Sequence, residues 1–113
     1  MNIQIFGSKK SQDSKKAERW FKERRIRFQY IDMLQKGLSE GELKNVCRAA
    51  GGLEALLDPA CRDKDALARI EYAPEEQKLE VLLERQQVLR LPIVRNGREA
   101  TVGYCPEIWE SWT

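Results

Sequence analysis

The chain has 113 residues, of which 42% are apolar and 34% charged, and its net charge is +2. That balance fits one compact domain and excludes a disordered tail. No Lys/Arg block exceeds a few residues, no apolar run approaches a membrane span, and the N-terminus lacks the shape of a signal peptide. Nucleic-acid binding and membrane insertion therefore have no compositional support, and a cytoplasmic location is expected. Cys47, Cys61 and Cys105 are widely spaced, with no CxxC and no histidine anywhere. A zinc site is not expected, and the usual Ser-His and Cys-His nucleophile pairs are excluded.

Residues 2–6 hold Ile3, Ile5 and Phe6 and predict a short buried strand that Gly7 ends. The polar stretch Gly7 to Asp13 predicts a loop. A helix is expected from Ser14 to Arg25, because Ala17, Trp20 and Phe21 fall on one face. Ser11 or Asp13 is placed to cap it. Residues 27–31, with Phe28, Tyr30 and Ile31, predict a second strand. Strand, helix and strand in that order form a βαβ unit with parallel strands and a right-handed crossover.

The middle of the chain is helical in pattern. Ser39 with Glu42 three residues on is a capping box, Leu43, Val46, Cys47 and Ala50 form an inner face, and Gly51-Gly52 ends the helix. A turn at Leu53 to Leu57 precedes Asp58-Pro59, and two further helices are expected at Asp63 to Tyr72 and Glu75 to Arg85. The last third turns β-prone: residues 92–95 and 99–103 flank Asn96-Gly97, a strong hairpin signal. Cys105-Pro106-Glu107 then opens a final helix. Trp109 and Trp112 share one face of that helix and, with Trp20, are expected in the core or at its rim. The expected fold is α/β and thioredoxin-like (glutaredoxin-like), one domain over 1–113. Its four-stranded mixed sheet belongs to a core of 1–34 and 88–113, with a helical insert at 35–87.

The stretch Ser11-Gln12-Asp13-Ser14-Lys15-Lys16-Ala17-Glu18-Arg19-Trp20 resembles the cysteine loop and "KKA-x-x-W/F" segment of the arsenate reductase (ArsC)/Spx family. The segments GLSEGELKNV and GGLEALL resemble that family's helical insert. Leu91-Pro92-Ile93-Val94 through Val102-Gly103-Tyr104 resembles its "RPI…VGY" segment. The resemblance covers nearly the whole chain. It implies a cis proline before the third strand, at Pro92, facing the cysteine loop. It also implies a thiol-dependent reductase ancestry, with no bound cofactor and with glutathione, thioredoxin or glutaredoxin as reductant.

Three departures from the family pattern bear on activity. The family's reactive cysteine aligns with Ser11, and a second cysteine found in Spx-like members aligns with Ser14. A helix N-terminus favours a thiolate, but a serine hydroxyl has too high a pKa to profit and no histidine is present to deprotonate it. Ser11 is therefore expected to be a cap or loop residue, and arsenate reduction is not expected. The family's three oxyanion-holding arginines align approximately with Asp58, Leu91 and Cys105, with Arg62 close enough to Asp58 to serve. Arg90 precedes Leu91, and strand alternation sends its side chain to the opposite face. Lys9, Lys10, Gln12, Lys15 and Arg62 are nominated as a residual site for a carboxylate or phosphate, against the plainer reading of a solvated basic surface.

Among the cysteines, Cys47 reads as core, Cys61 as a loop cysteine, and Cys105 either as a capping residue or as a redox-active thiol stabilised at a helix start. Cys105 is expected to react faster than a buried Cys47. Three functions fit: an ArsC-like reductase whose native cysteine at position 11 has been changed to serine in the laboratory; a natural redox-silent paralogue acting as a binding module, in the way Spx-type proteins bind the RNA polymerase alpha subunit; and an enzyme that uses Cys105 instead of position 11. The sequence does not fix an oligomeric state.

Overall fold

The computed structural model describes residues 1–113. Four strands and five α-helices follow one another along the chain. Strand β1 (Ile3–Gly7) leads into helix α1 (Gln12–Glu23), which returns to strand β2 (Phe28–Asp32) parallel to β1. Helices α2 (Glu40–Ala50), α3 (Lys64–Glu71) and α4 (Lys78–Leu83) follow, and then the hairpin of β3 (Ile93–Asn96) and β4 (Glu99–Val102). Helix α5 (Pro106–Trp112) closes the chain. The sheet order is β2-β1-β3-β4, with β1–β3 and β3–β4 antiparallel. This is a thioredoxin-like α/β fold with a four-stranded mixed sheet. No helix is long and apolar enough to cross a membrane.

The sheet has two buried faces, and the period of two along each strand assigns its side chains to them. Ile3, Ile5 and Val94 face α1 and α5, where they meet Ala17, Trp20, Phe21 and Trp109. Phe6 and Ile93 face the other way, onto Leu43, Val46, Leu56, Ile70, Leu82 and Val88 of the helical middle. Trp109 is fully buried, its Nε1 donates to Thr101 Oγ1 at 2.8 Å, and its ring meets that of Trp20 edge-on at 5.5 Å. The indole thus supplies apolar area and leaves no unpaired donor. Trp112 is half-buried against the same cluster.

Beneath α2 the sheet face carries a polar strut. Arg95 Nε donates to Asn45 Oδ1 at 2.9 Å, its Nη1 reaches Gln4 and Glu42, and Asn45 Nδ2 donates to the Arg98 carbonyl at 3.1 Å. The capping box of α2 is formed as the sequence predicts. Glu42 N donates to Ser39 Oγ at 3.2 Å and Ser39 N to Glu42 Oε1 at 2.8 Å, and Gly51 ends the helix with φ 90°.

The strands lie within one residue of their expected ranges, with Gly7 paired to Asp32 as the last residue of β1 rather than beyond it, and two helices differ more. Helix α1 begins at Gln12 rather than Ser14, because Ser11 occupies the cap. The expected helix from Glu75 to Arg85 is a 3₁₀ turn at Glu75–Gln77 followed by the short α4. Pro74 opens that turn, and at the far end Arg85, with φ −134°, breaks the helix before a 3₁₀ turn whose Gln86 side chain bonds the loop before α2: Leu38 N donates to its Oε1 and its Nε2 to the Leu38 carbonyl, both at 2.8 Å.

Candidate functional site

The loop between β1 and α1 is held by serine hydroxyls. Ser11 has extended backbone, with φ −97° and ψ 117°, and its Oγ accepts from Ser14 N at 3.1 Å. Ser14 is fully buried; its Oγ accepts from Ser8 N at 3.2 Å and lies beside the Tyr30 hydroxyl. Ser8 Oγ accepts from Lys10 N at 3.2 Å, and Ser11 N donates to the Ser8 carbonyl at 3.0 Å. Desolvation, followed by the charges of Glu18 and Asp32, pushes the Tyr30 phenol up, so it stays a neutral neighbour of Ser14.

Gly7 makes this packing possible. A Cβ there would lie 2.6 Å from the Tyr30 hydroxyl and 2.9 Å from Ser14 Cβ. The glycine is needed for closeness of approach rather than for an unusual φ.

The loop forms one wall of an open cleft of about 490 Å³, with Asp58 and the segment Leu89 to Leu91 as the other. Of the residues nominated for an anion, Lys10 and Gln12 line this cleft, whereas Lys9, Lys15 and Arg62 do not. Lys16 lies over the Tyr104 ring instead, 5.9 Å from its centroid. Two carboxylates, Asp13 and Asp58, share the cleft with two cations, Lys10 and Arg90. Asp13 is in the first turn of α1, where it complements the helix dipole. The charge presented to a ligand is therefore mixed, unlike the cationic clamp an oxyanion requires.

Arg90 corrects the sequence reading, which sent its side chain away from this region. It lines the cleft, and its guanidinium packs against Gly103: a Cβ at Gly103 would lie 3.2 Å from Arg90 Cζ. Strand alternation does not apply, because β3 begins only at Ile93 and Arg90 belongs to the irregular segment before it. The Leu91–Pro92 peptide is cis and Pro92 is buried.

Cys105 is also not what its place in the sequence suggests. It is the N-cap of α5, half-buried, with Sγ 3.4 Å from the Val102 carbonyl. Burial pushes its thiol up, the charges of Glu107 and Asp13 add to that, and Arg90 opposes them. The expected thiolate at a helix start is thus not favoured. Desolvation and a carboxylate two residues on act against a thiolate at the start of this seven-residue helix. Cys105 does not line the cleft. Cys47, expected in the core, is half-buried, and burial followed by the Glu54 charge pushes its thiol up as well. Cys61 is half-buried, its Sγ 3.6 Å from the Gln87 carbonyl, and all three cysteines are free thiols. No group of three or more His, Cys, Asp or Glu side chains is arranged to hold a metal.

A four-stranded mixed sheet with a helix-start loop facing the segment before β3 defines a thioredoxin-like protein of the glutaredoxin type. NrdH-redoxin from Escherichia coli superposes with a TM-score of 0.52 at 15% identity, covering 100% of this chain and 96% of that one. The chain belongs to the ArsC family, whose sequence profile matches residues 6–112. An ArsC family related protein from Bacteroides fragilis has the same fold, with a TM-score of 0.84 at 19% identity over 100% of this chain and 98% of that one. Arsenate reductase from Vibrio cholerae does too, at 0.80 and 21% over 98% and 97%. Among curated proteins, Global transcriptional regulator Spx 2 of Oceanobacillus iheyensis is 26% identical over 106 residues, 92% of this chain and 78% of that protein.

Proposed function

We propose that this chain is an ArsC-family protein that has left thiol chemistry at the cleft and works by binding. The observation that carries this reading is the engagement of Ser11 Oγ as acceptor for Ser14 N, at the position where the family's reactive cysteine aligns. The N–H that would stabilise a thiolate at this position caps the helix here through an alcohol, and an alcohol takes no part in thiol–disulfide exchange. Three further features support it. Ser14, at the second cysteine position, is buried and accepts from Ser8 N. Asp58, Leu91 and Cys105 stand where the family's arginines align, and Asp58 brings negative charge to the cleft. The thiol of Cys105 is pushed toward its protonated form.

Reduction of hydroxyethyl disulfide by glutathione tests this directly. Added chain is expected to leave the rate at that of the buffer control, and a catalysed rate would overturn the reading.

A second reading, an Spx-like regulator that binds RNA polymerase, is favoured by the likeness to the Oceanobacillus iheyensis protein named as a global transcriptional regulator. Co-purification of tagged chain with the polymerase alpha subunit is the expected result. Failure to retain that subunit at micromolar concentrations would remove this partner and leave the loss of thiol chemistry untouched.

A further inference from the structure

The cleft lies at one end of β2, where Asp32 pairs with Gly7; the other end, where Phe28 pairs with Ile3, has a different character. Strand β2 is at the edge of the sheet and pairs only with β1. No backbone hydrogen bond from outside the sheet reaches Phe28 to Ile31. Half of the strand's N–H and C=O groups therefore face outward without a protein partner.

Beside the start of this strand is a shallow depression of about 460 Å³ lined by Lys22, Arg25, Ile26, Arg27 and Phe28, three cations and two apolar residues with no carboxylate. Arg25 and Arg27 are exposed and form no ion pair, and Lys22 has only the half-buried Glu18 at 3.4 Å. The positive charge is regional. From Lys9 to Arg27 there are nine Lys and Arg residues against Asp13, Glu18 and Glu23, in a chain whose net charge is only +2.

We propose that the open edge of β2 docks an extended, acidic segment of a partner protein. Such a segment continues the sheet through main-chain hydrogen bonds, and its alternate side chains fall on one face. Its carboxylates meet Arg25 and Arg27, and an apolar residue between them covers Ile26 and Phe28. Asp32 at the far end of the strand sets the polarity, because it repels acidic residues from that end. The combination of an unpaired strand edge and apolar floor favours a peptide over a nucleic acid, which needs cations alone. Cations at a sheet edge also serve simply to discourage edge-to-edge association. An edge of that kind binds no acidic peptide.

The probe is a fluorescein-labelled heptapeptide alternating valine and glutamate, titrated with the full chain at low salt and followed by anisotropy. Three controls are a version with proline at the centre, a version with lysine for glutamate, and a single-stranded oligothymidylate of equal charge. Saturable binding is expected, weakened by about tenfold or more by the proline, by the lysines and by Arg27→Glu. Amide shifts on binding should centre on Phe28 to Asp32. Absence of saturable binding would overturn the proposal, as would equal binding of the proline peptide or tighter binding of the oligonucleotide. Circular dichroism checks that Arg27→Glu folds; if it does not, the peptide controls with the unaltered chain decide alone.

Discussion

Replacing Ser11 by alanine separates a capping hydroxyl from a catalytic one. The hydroxyl accepts one hydrogen bond, from Ser14 N at 3.1 Å, and Ser11 is only half-buried. Loss of such an N-cap costs about 1 kcal/mol. Unfolding entropy of about 2.1 cal/mol/K per residue gives about 0.24 kcal/mol/K for 113 residues, so the melting temperature should fall by about 4 °C. Ser11→Asp keeps an acceptor and adds a charge at the positive helix end, so it should restore most of the loss. Ser14→Ala should cost more, about 2 kcal/mol or about 8 °C, because it leaves the buried Ser8 N–H without its acceptor. Differential scanning calorimetry of the three variants gives the order directly. A neutral Ser11→Ala with a destabilising Ser11→Asp would refute the capping argument and leave the hydroxyl free for another role.

Three further outcomes follow from the same geometry. Gly7→Ala forces a Cβ to within 2.6 Å of the Tyr30 hydroxyl and should destabilise by about 1–3 kcal/mol. Tyr30→Phe should rescue part of that loss, and denaturant unfolding of the double variant against the singles measures the coupling. The thiols of Cys47 and Cys105 are raised in the folded chain, so above about pH 8.5 the unfolded chain loses protons that the folded chain keeps. Stability should fall as pH rises from there through the folded values, and a Cys47→Ala/Cys105→Ala variant should show a shallower fall; equal slopes would contradict the shifts. Ser11→Cys, made in a Cys105→Ser background, places a thiolate where Ser14 N donates at the start of α1. Its pKa, read from thiolate absorbance relative to Cys47 and Cys61 alone, should lie below the free value of about 8.5, held back from a larger drop by Asp13 and Asp58.

The parts of this fold that rest on local pattern are legible in the sequence. Ile3, Ile5 and Phe6 place β1 between two cores, Ser39 and Glu42 start α2, and Asn96-Gly97 turns the β3–β4 hairpin, with Gly97 at φ 61°. What the sequence misstates depends on groups distant along the chain or on a boundary. Strand parity does not reach Arg90, since β3 starts three residues later. The helix start at Cys105 is local, while burial and Asp13, both products of tertiary packing, act against the thiolate. Glu107, two residues away, complements the dipole of α5 and at the same time opposes a thiolate at Cys105. Cys47 fits the apolar stripe of α2 by spacing yet sits at its margin, half-exposed beside Glu54. The expectation that Cys105 is labelled faster than Cys47 therefore loses its physical basis. Periodicity reports which face a residue is on and says little about how far under a neighbour it lies.

Arsenate turnover by the chain as it stands is the most direct measurement of the central claim, that position 11 supports no thiol-based reduction. With glutathione and glutaredoxin supplied, arsenite formation should equal that of a control lacking the chain. Formation above that control, abolished by Ser11→Ala in a variant that remains folded, would contradict the account.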